Sequence, residues 1–208
     1  MLLERDGALG TLGALAARAN GGQGQVVLVG GEAGIGKTSL LREFARRVPH
    51  QSHMLWGGCE ALFTPRPLGP LHDIAAELDP HVADLIAHGA APADLFPALI
   101  NVLKDTHRTT VLIFEDIHWA DHATLDLIKY LGRRITLLRA LLVLTVRSDE
   151  AGPDHPLTAV IGDLPSNALT RTTLEPLSEA AVASLMPATG GNAGNLHRIT
   201  AGNPFFVT

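Results

Sequence analysis

Residues 31–38 read Gly31-Glu32-Ala33-Gly34-Ile35-Gly36-Lys37-Thr38, with Ser39 next, and satisfy the spacing G-x-x-x-x-G-K-[ST]. That spacing suits a polyphosphate. Its charge and its many acceptor oxygens are best met by a ring of backbone N–H groups at the positive end of a helix. The glycines keep Cβ atoms out of the backbone's curl. Lys37 has the reach for β- and γ-oxygens, and the Thr38 hydroxyl is a ligand for Mg²⁺. Lysine occurs at only three positions, 37, 104 and 129, and one of them fills the required slot. The nine residues 31–39 are therefore candidate nucleotide-binding residues.

A second chemical group follows the apolar run Val111-Leu112-Ile113-Phe114, which ends in Glu115-Asp116. Carboxylates at the C-terminal tip of a buried strand face the crevice where open α/β sheets take ligands. One can serve Mg²⁺ and the other an attacking water, and the order Glu-Asp leaves the division open. Successive strand residues point to opposite faces, so one of the two is expected to face the phosphate. Arg147 directly follows a third apolar strand and emerges at the same edge. There it either senses a γ-phosphate or pairs with Asp149 or Glu150. Asp121 reads as a helix N-cap, Trp119 as packing, and Cys59 as a small buried hydrophobe. The ten histidines show no metal-ligand spacing.

These residues need a scaffold. Residues 26–29, 111–114 and 141–146 are apolar without alternation, which predicts strands buried on both faces of a parallel sheet. Residues 53–57 and 169–174 are mixed and predict edge strands. Helical periodicity covers 8–19, 38–48, 70–78, 92–105 and 121–134. The alternation predicts a doubly wound α/β domain over residues 1–175. From Pro176 the pattern changes, and 176–208 predicts the start of a helical lid that the 208 residues leave incomplete. Ser178 caps a helix to about Met186, and Gly190, Gly191, Asn192 and Gly194 form a turn. A short helix then ends at Gly202, with Pro204 as a stop signal.

Composition narrows the classes. The net charge is −5, and no Lys/Arg stripe offers the phosphate neutralisation that sequence-independent DNA binding needs. The pairs Arg46-Arg47 and Arg133-Arg134 fall at helix ends, where cations complement the dipole. No apolar stretch is long enough to span a bilayer, and Glu4, Arg5 and Asp6 argue against a secretory leader. The lone Cys59 excludes an internal disulfide and a multi-cysteine zinc site, which suits a cytoplasmic setting.

The stretches 31–38, Phe114-Glu115-Asp116-Ile117-His118-Trp119-Ala120-Asp121 and Ala201-Gly202-Asn203-Pro204-Phe205-Phe206 together resemble the ATPase domain of large LuxR-type transcriptional regulators. That family belongs to the signal-transduction (STAND) ATPases of the AAA+ superfamily. Leu3-Glu4-Arg5-Asp6 is similar to its opening segment near the adenine, with Glu4 where the family has glycine. Cys59 to Pro70 and Thr145 to Glu150 fit as well. The resemblance implies a P-loop NTPase with five parallel strands in the order 5-1-4-3-2, and ATP or ADP with Mg²⁺ rather than GTP. It implies that Arg5 lies near the base and that Gly202-Asn203-Pro204 contacts the nucleotide. It implies a switch that self-associates in its ATP state. DNA binding would belong to a C-terminal helix-turn-helix, which these residues do not contain.

The leading expectation is an ATP-binding, slowly hydrolysing switch, with Thr38, Glu115 and Asp116 serving metal and water and Arg147 sensing phosphate. The alternatives are an assembly module with structural nucleotide, in which Arg133 or Arg134 touches a neighbour, and an unrelated P-loop kinase.

Overall fold

The computed structural model of this 208-residue chain describes residues 2–49, 52–104, 107–186 and 192–207. Along the chain run α1 (Asp6–Asn20), β1 (Gln25–Gly31), α2 (Lys37–Arg47), β2 (His53–Gly58), α3 (Gly69–Ile74), α4 (Pro80–Ala87) and α5 (Pro92–Lys104). Then follow β3 (Thr110–Glu115), α6 (His122–Gly132), β4 (Ala140–Arg147), α7 (Pro156–Gly162), β5 (Leu169–Thr173), α8 (Glu179–Leu185), α9 (Ala193–Thr200) and α10 (Pro204–Val207).

The five strands form one parallel sheet in the order β2-β3-β4-β1-β5, the expected 5-1-4-3-2 read from the other edge. The three continuous apolar runs are the three interior strands. β4 is buried from Ala140 to Val146, whereas the two mixed segments form the edges. Alternation along each strand feeds two cores. Val27, Val29, Val111, Ile113, Leu141 and Val143 pack beneath α1 and α2. Val26, Leu112, Phe114, Leu142 and Leu144 join the larger core beneath α3 to α7. A continuous apolar strand is thus what a sheet covered on both faces requires.

Helix starts follow local chemistry. Asp121 accepts from the backbone N–H of Ala123 and Thr124 and from the Thr124 hydroxyl, as its N-cap reading predicts. Ser178 caps α8 by accepting from Ala181 N, and Asp79 caps α4 ahead of Pro80. Each such cap contributes about 1 kcal/mol.

Three expectations need correction. The helix read over 70–78 is α3 followed by a separate 3-10 turn at Ala75–Glu77. α4 and α7 are additional helices, each opened by a proline in the first turn. Pro204 does not follow the last helix. α9 ends at Thr200, Ala201 and Gly202 take left-handed backbone (φ 49° and 72°), and Pro204 opens α10. Proline's missing N–H costs nothing in a first turn, so one residue type both stops and starts helices. Asp105, Gly190 and Gly191 lie outside the described residues.

The segment after β5 builds a small apolar cluster of its own from Leu177, Ala181 and Val182, joined by Leu185, Leu196, Val207 and the N-terminal Leu3. The N-terminal segment straps this cluster to the sheet. The Glu4 carboxylate accepts from Ser178 N at 2.8 Å and from its hydroxyl at 2.5 Å.

Candidate functional site: a phosphate loop between two strand tips

Residues 31–36 leave β1 and deliver the chain into α2 with Gly36 as N-cap in left-handed backbone (φ 99°). Gly34 is left-handed too (φ 75°), and a Cβ there would stand 2.6 Å from Phe205 Cβ. Around Gly36 a Cβ would meet nothing within 4 Å. The first glycine is thus required by a neighbouring segment as well as by its backbone, the second by backbone alone. Glu32, Ala33, Gly34 and Ser39 are exposed, Thr38 and Gly36 half-buried, and Ile35 is core.

Lys37 is buried, and its Nζ donates to the carbonyls of Gly31 (2.7 Å) and Glu32 (2.9 Å). Burial pushes its ammonium below the usual lysine range, with Asp116 acting against that and Arg147 adding to it. A desolvated ammonium inside a glycine loop favours an anion.

Glu115 is the acid that meets the loop. Positions 111, 113 and 115 share one face of β3, the face covered by α2. The Thr38 hydroxyl donates to Glu115 Oε1 at 2.6 Å. The other oxygen, Oε2, accepts from the Trp56 indole N–H at 2.9 Å. Trp56 stands on β2 in register with Ile113, on the same face. Asp116 has left the strand. Its backbone is left-handed (φ 52°), and its N–H donates to the buried Thr145 hydroxyl at 2.8 Å.

Arg147, at the end of β4, lies in register with Gly31 on β1. Its guanidinium pairs with Glu150 at 2.5 Å and stacks over the Trp119 ring at 4.5 Å, the pairing open to it from the sequence. Arg5 is buried, and its guanidinium donates to the carbonyls of Glu4 (3.0 Å), Ile35 (3.2 Å) and Glu175 (2.9 Å). It braces the phosphate loop against the segment after β5. From the C-terminal side, Asn203 Nδ2 donates to Ala33 O at 2.8 Å, one position ahead of Pro204. Arg134, just past the end of α6, lies 3.7 Å over the ring of Tyr130 on that helix.

Trp56 is a site residue that sequence reasoning did not single out, whereas Asn203, which the resemblance places in a nucleotide-contacting segment, has its bond to Ala33 shown only by the fold. A tryptophan on a mixed edge strand, two positions before the level of the acidic tip, was the available sign of Trp56. Cys59 is half-buried beside the larger core, and burial pushes its thiol up to about 12, Asp121, Asp116 and Asp73 adding to the effect. A hollow of about 790 Å³ lies elsewhere, lined by Gly10, Gly13 and Ala17 of α1 with Arg47 of α2, and contains none of the loop residues. Its size carries less weight than the loop's donors, since polyphosphates are held by backbone N–H groups on open loops.

Strand, glycine loop, helix start and an acid on a neighbouring strand define the phosphate-loop class of nucleoside triphosphatase fold. Residues 1–144 match the AAA ATPase domain family, and the chain belongs to it. An uncharacterized protein of Rhizobium meliloti (strain 1021) is 31% identical over a match that covers 72% of this chain and 19% of that protein. The ORC1 protein of Aeropyrum pernix, solved in complex with DNA, superposes with a TM-score of 0.67 at 16% identity, over 100% of this chain and 58% of that one. A signal transduction ATPase with numerous domains (STAND), bearing a tetratricopeptide repeat sensor, from Pyrococcus horikoshii gives 0.60 at 20% identity, over 98% and 28%. At these identities the two structures speak for fold alone. The chain thus spans about a fifth of that relative's length. Among the described residues no helix is long and apolar enough to cross a membrane.

Proposed function

We propose that this chain is the nucleotide switch of a STAND-type, LuxR-like regulator, binding ATP and ADP with Mg²⁺ and hydrolysing ATP slowly. The observation that carries this reading is the contact between Thr38 and Glu115 beneath the loop that ends in Lys37. A hydroxyl and a carboxylate 2.6 Å apart, at the end of a glycine loop, are hard oxygen donors of the kind Mg²⁺ takes.

The residues present fit the nucleotide. Gly34 and Gly36 leave the loop without Cβ atoms, and Lys37 supplies a partly desolvated charge. Thr38 and Glu115 would hold Mg²⁺, and Trp56 keeps the Glu115 carboxylate turned toward Thr38. When bound, Mg²⁺ neutralises charge on the β- and γ-phosphates. Asp116, freed from the strand by its left-handed backbone, would orient the attacking water. Arg147 would meet the terminal phosphate from the adjoining strand. Arg5 and Asn203 hold the loop between the N-terminal strap and the helical end, which would enclose the base together with Pro204. Self-association in the ATP state and DNA binding through a separate helix-turn-helix belong to the same proposal.

Asp116→Asn tests the chemistry, because asparagine tolerates left-handed backbone and the fold is kept. The expected result is ATP affinity within about twofold of wild type and turnover reduced by about 10²-fold or more. Equal turnover in wild type and variant would remove Asp116 from the mechanism and with it the hydrolytic half of the proposal.

A further inference from the structure

Arg147 is held by a cluster that the hydrolytic scheme does not use. Glu150 pairs with its guanidinium through Oε1 (2.5 Å), while Oε2 accepts from the Trp119 indole N–H (3.1 Å). His118, its side chain 1% exposed, packs against Trp119 with the rings tilted and their centroids 4.5 Å apart. Its Nδ1 accepts from the backbone N–H of Arg147 at 3.4 Å, so the neutral ring carries its proton on Nε2. That Nε2 is, among the described residues, a buried polar atom with no hydrogen-bond partner, and it faces Glu150 Oε2 from 3.5 Å. His155 fixes the turn from below. Its Nδ1 accepts from Leu157 N, leaving Nε2–H to donate to the His118 carbonyl at 3.0 Å.

Glu150 therefore has two positions open to it. In the first it holds Arg147. In the second, a shift of about half an ångström toward His118 would bring Nε2–H within ordinary hydrogen-bond distance and satisfy a buried donor that is now unpaired. We propose that Glu150 is a latch that restrains Arg147 until the terminal phosphate of a nucleoside triphosphate takes the guanidinium, whereupon Glu150 closes onto His118. A nucleoside diphosphate lacks that phosphate and leaves the latch shut. The inference rests on the proposed nucleotide site and gives it a means of telling ATP from ADP. Glu150, His118 and Trp119 act as positioning residues for Arg147. Trp119 reports the change, because its indole touches both Glu150 and Arg147.

The test compares Mg²⁺–ADP with Mg²⁺ and a non-hydrolysable ATP analogue, using calorimetry and intrinsic fluorescence on the whole chain. The triphosphate alone is expected to change the emission, and the change should vanish in Trp119→Phe. Glu150→Gln should raise the triphosphate-to-diphosphate affinity ratio by about two- to fivefold, the range of a partly exposed ion pair. His118→Phe removes the waiting donor and should lower the same ratio. A ratio unmoved by both variants, or moved the same way by both, or identical emission with the two nucleotides, would overturn the latch. If neither nucleotide binds wild type, the reading of the phosphate loop fails and the latch with it. Binding with an unmoved ratio sinks the latch alone.

Discussion

The Thr38 hydroxyl and Glu115 Oε1 lie 2.6 Å apart, joining the first turn of α2 to the tip of β3 across 77 positions of sequence. The bond exists because of parity. Glu115 continues the face of Val111 and Ile113, which α2 covers, so a one-residue slip of β3 would bring Asp116 to this level instead. The same parity lets Trp56, on the neighbouring strand, grip the second oxygen of the carboxylate.

That grip gives the first prediction. Trp56→Phe keeps the ring packing but removes the N–H, freeing one oxygen of Glu115. A hydrogen bond to a charged group contributes about 1.5–3 kcal/mol, and part of that should surface as misplacement of the acid. Steady-state turnover is expected to fall by about five- to tenfold while ATP affinity by calorimetry stays within about twofold. Unchanged turnover would show that Thr38 alone positions Glu115.

Gly34 and Gly36 separate two roles. Both have left-handed backbone, but only at Gly34 would a Cβ collide with Phe205. Gly34→Ala should cost about 1–3 kcal/mol and loosen residues 203–207 from the loop. Limited proteolysis should then cut the C-terminal segment faster than in wild type. Gly36→Ala carries the backbone strain without the collision, so its C-terminal segment should be cut at the wild-type rate. Equal cutting of both variants would contradict the contact.

Burial pushes His118 below its ordinary value of 6.5, with Asp116 and Glu150 acting against that and Arg147 and Lys37 adding to it. Well above pH 6.5 the ring is neutral in both folded and unfolded chains, and its titration costs the fold nothing. As pH falls, the unfolded chain takes up a proton that the folded chain resists, so stability declines toward acid. His72, shifted the same way by its own burial, adds to the decline. His118→Gln should therefore show a shallower loss of urea midpoint between about pH 7.5 and 5.5 than wild type. Parallel losses would mean that the folded chain protonates His118 freely.

The legible and the hidden divide along physical lines. Strand placement was readable because apolar runs without alternation have one good home, the interior of a two-sided parallel sheet. Asp121 and Ser178 were readable as caps because a cap is local chemistry. The phosphate loop was readable because its spacing is fixed by a ligand. Pro204 was misread because proline ends one helix and opens another with equal ease, and only α10 decides between them. Trp56, the hold of Asn203 on Ala33 and the Trp119–His118 side of the Glu150 cluster were hidden because their meaning lies in partners far away in sequence. The 59 positions between Trp56 and Glu115, or the 170 between Asn203 and Ala33, are bridged only by the fold. Arg5 is expected near the base from the resemblance, and the fold adds what the sequence did not show, that its guanidinium braces carbonyls of the loop and of Glu175.

Calorimetric titration of Mg²⁺–ADP into wild type and Lys37→Ala tests the central claim most directly. A lysine lost from a phosphate site should weaken binding by about a hundredfold or more, since a charge-assisted hydrogen bond in a desolvated site is removed. The account predicts measurable binding by wild type and none, or nearly none, by the variant. Equal affinity of the two would show that the loop between β1 and α2 is not where the phosphates sit.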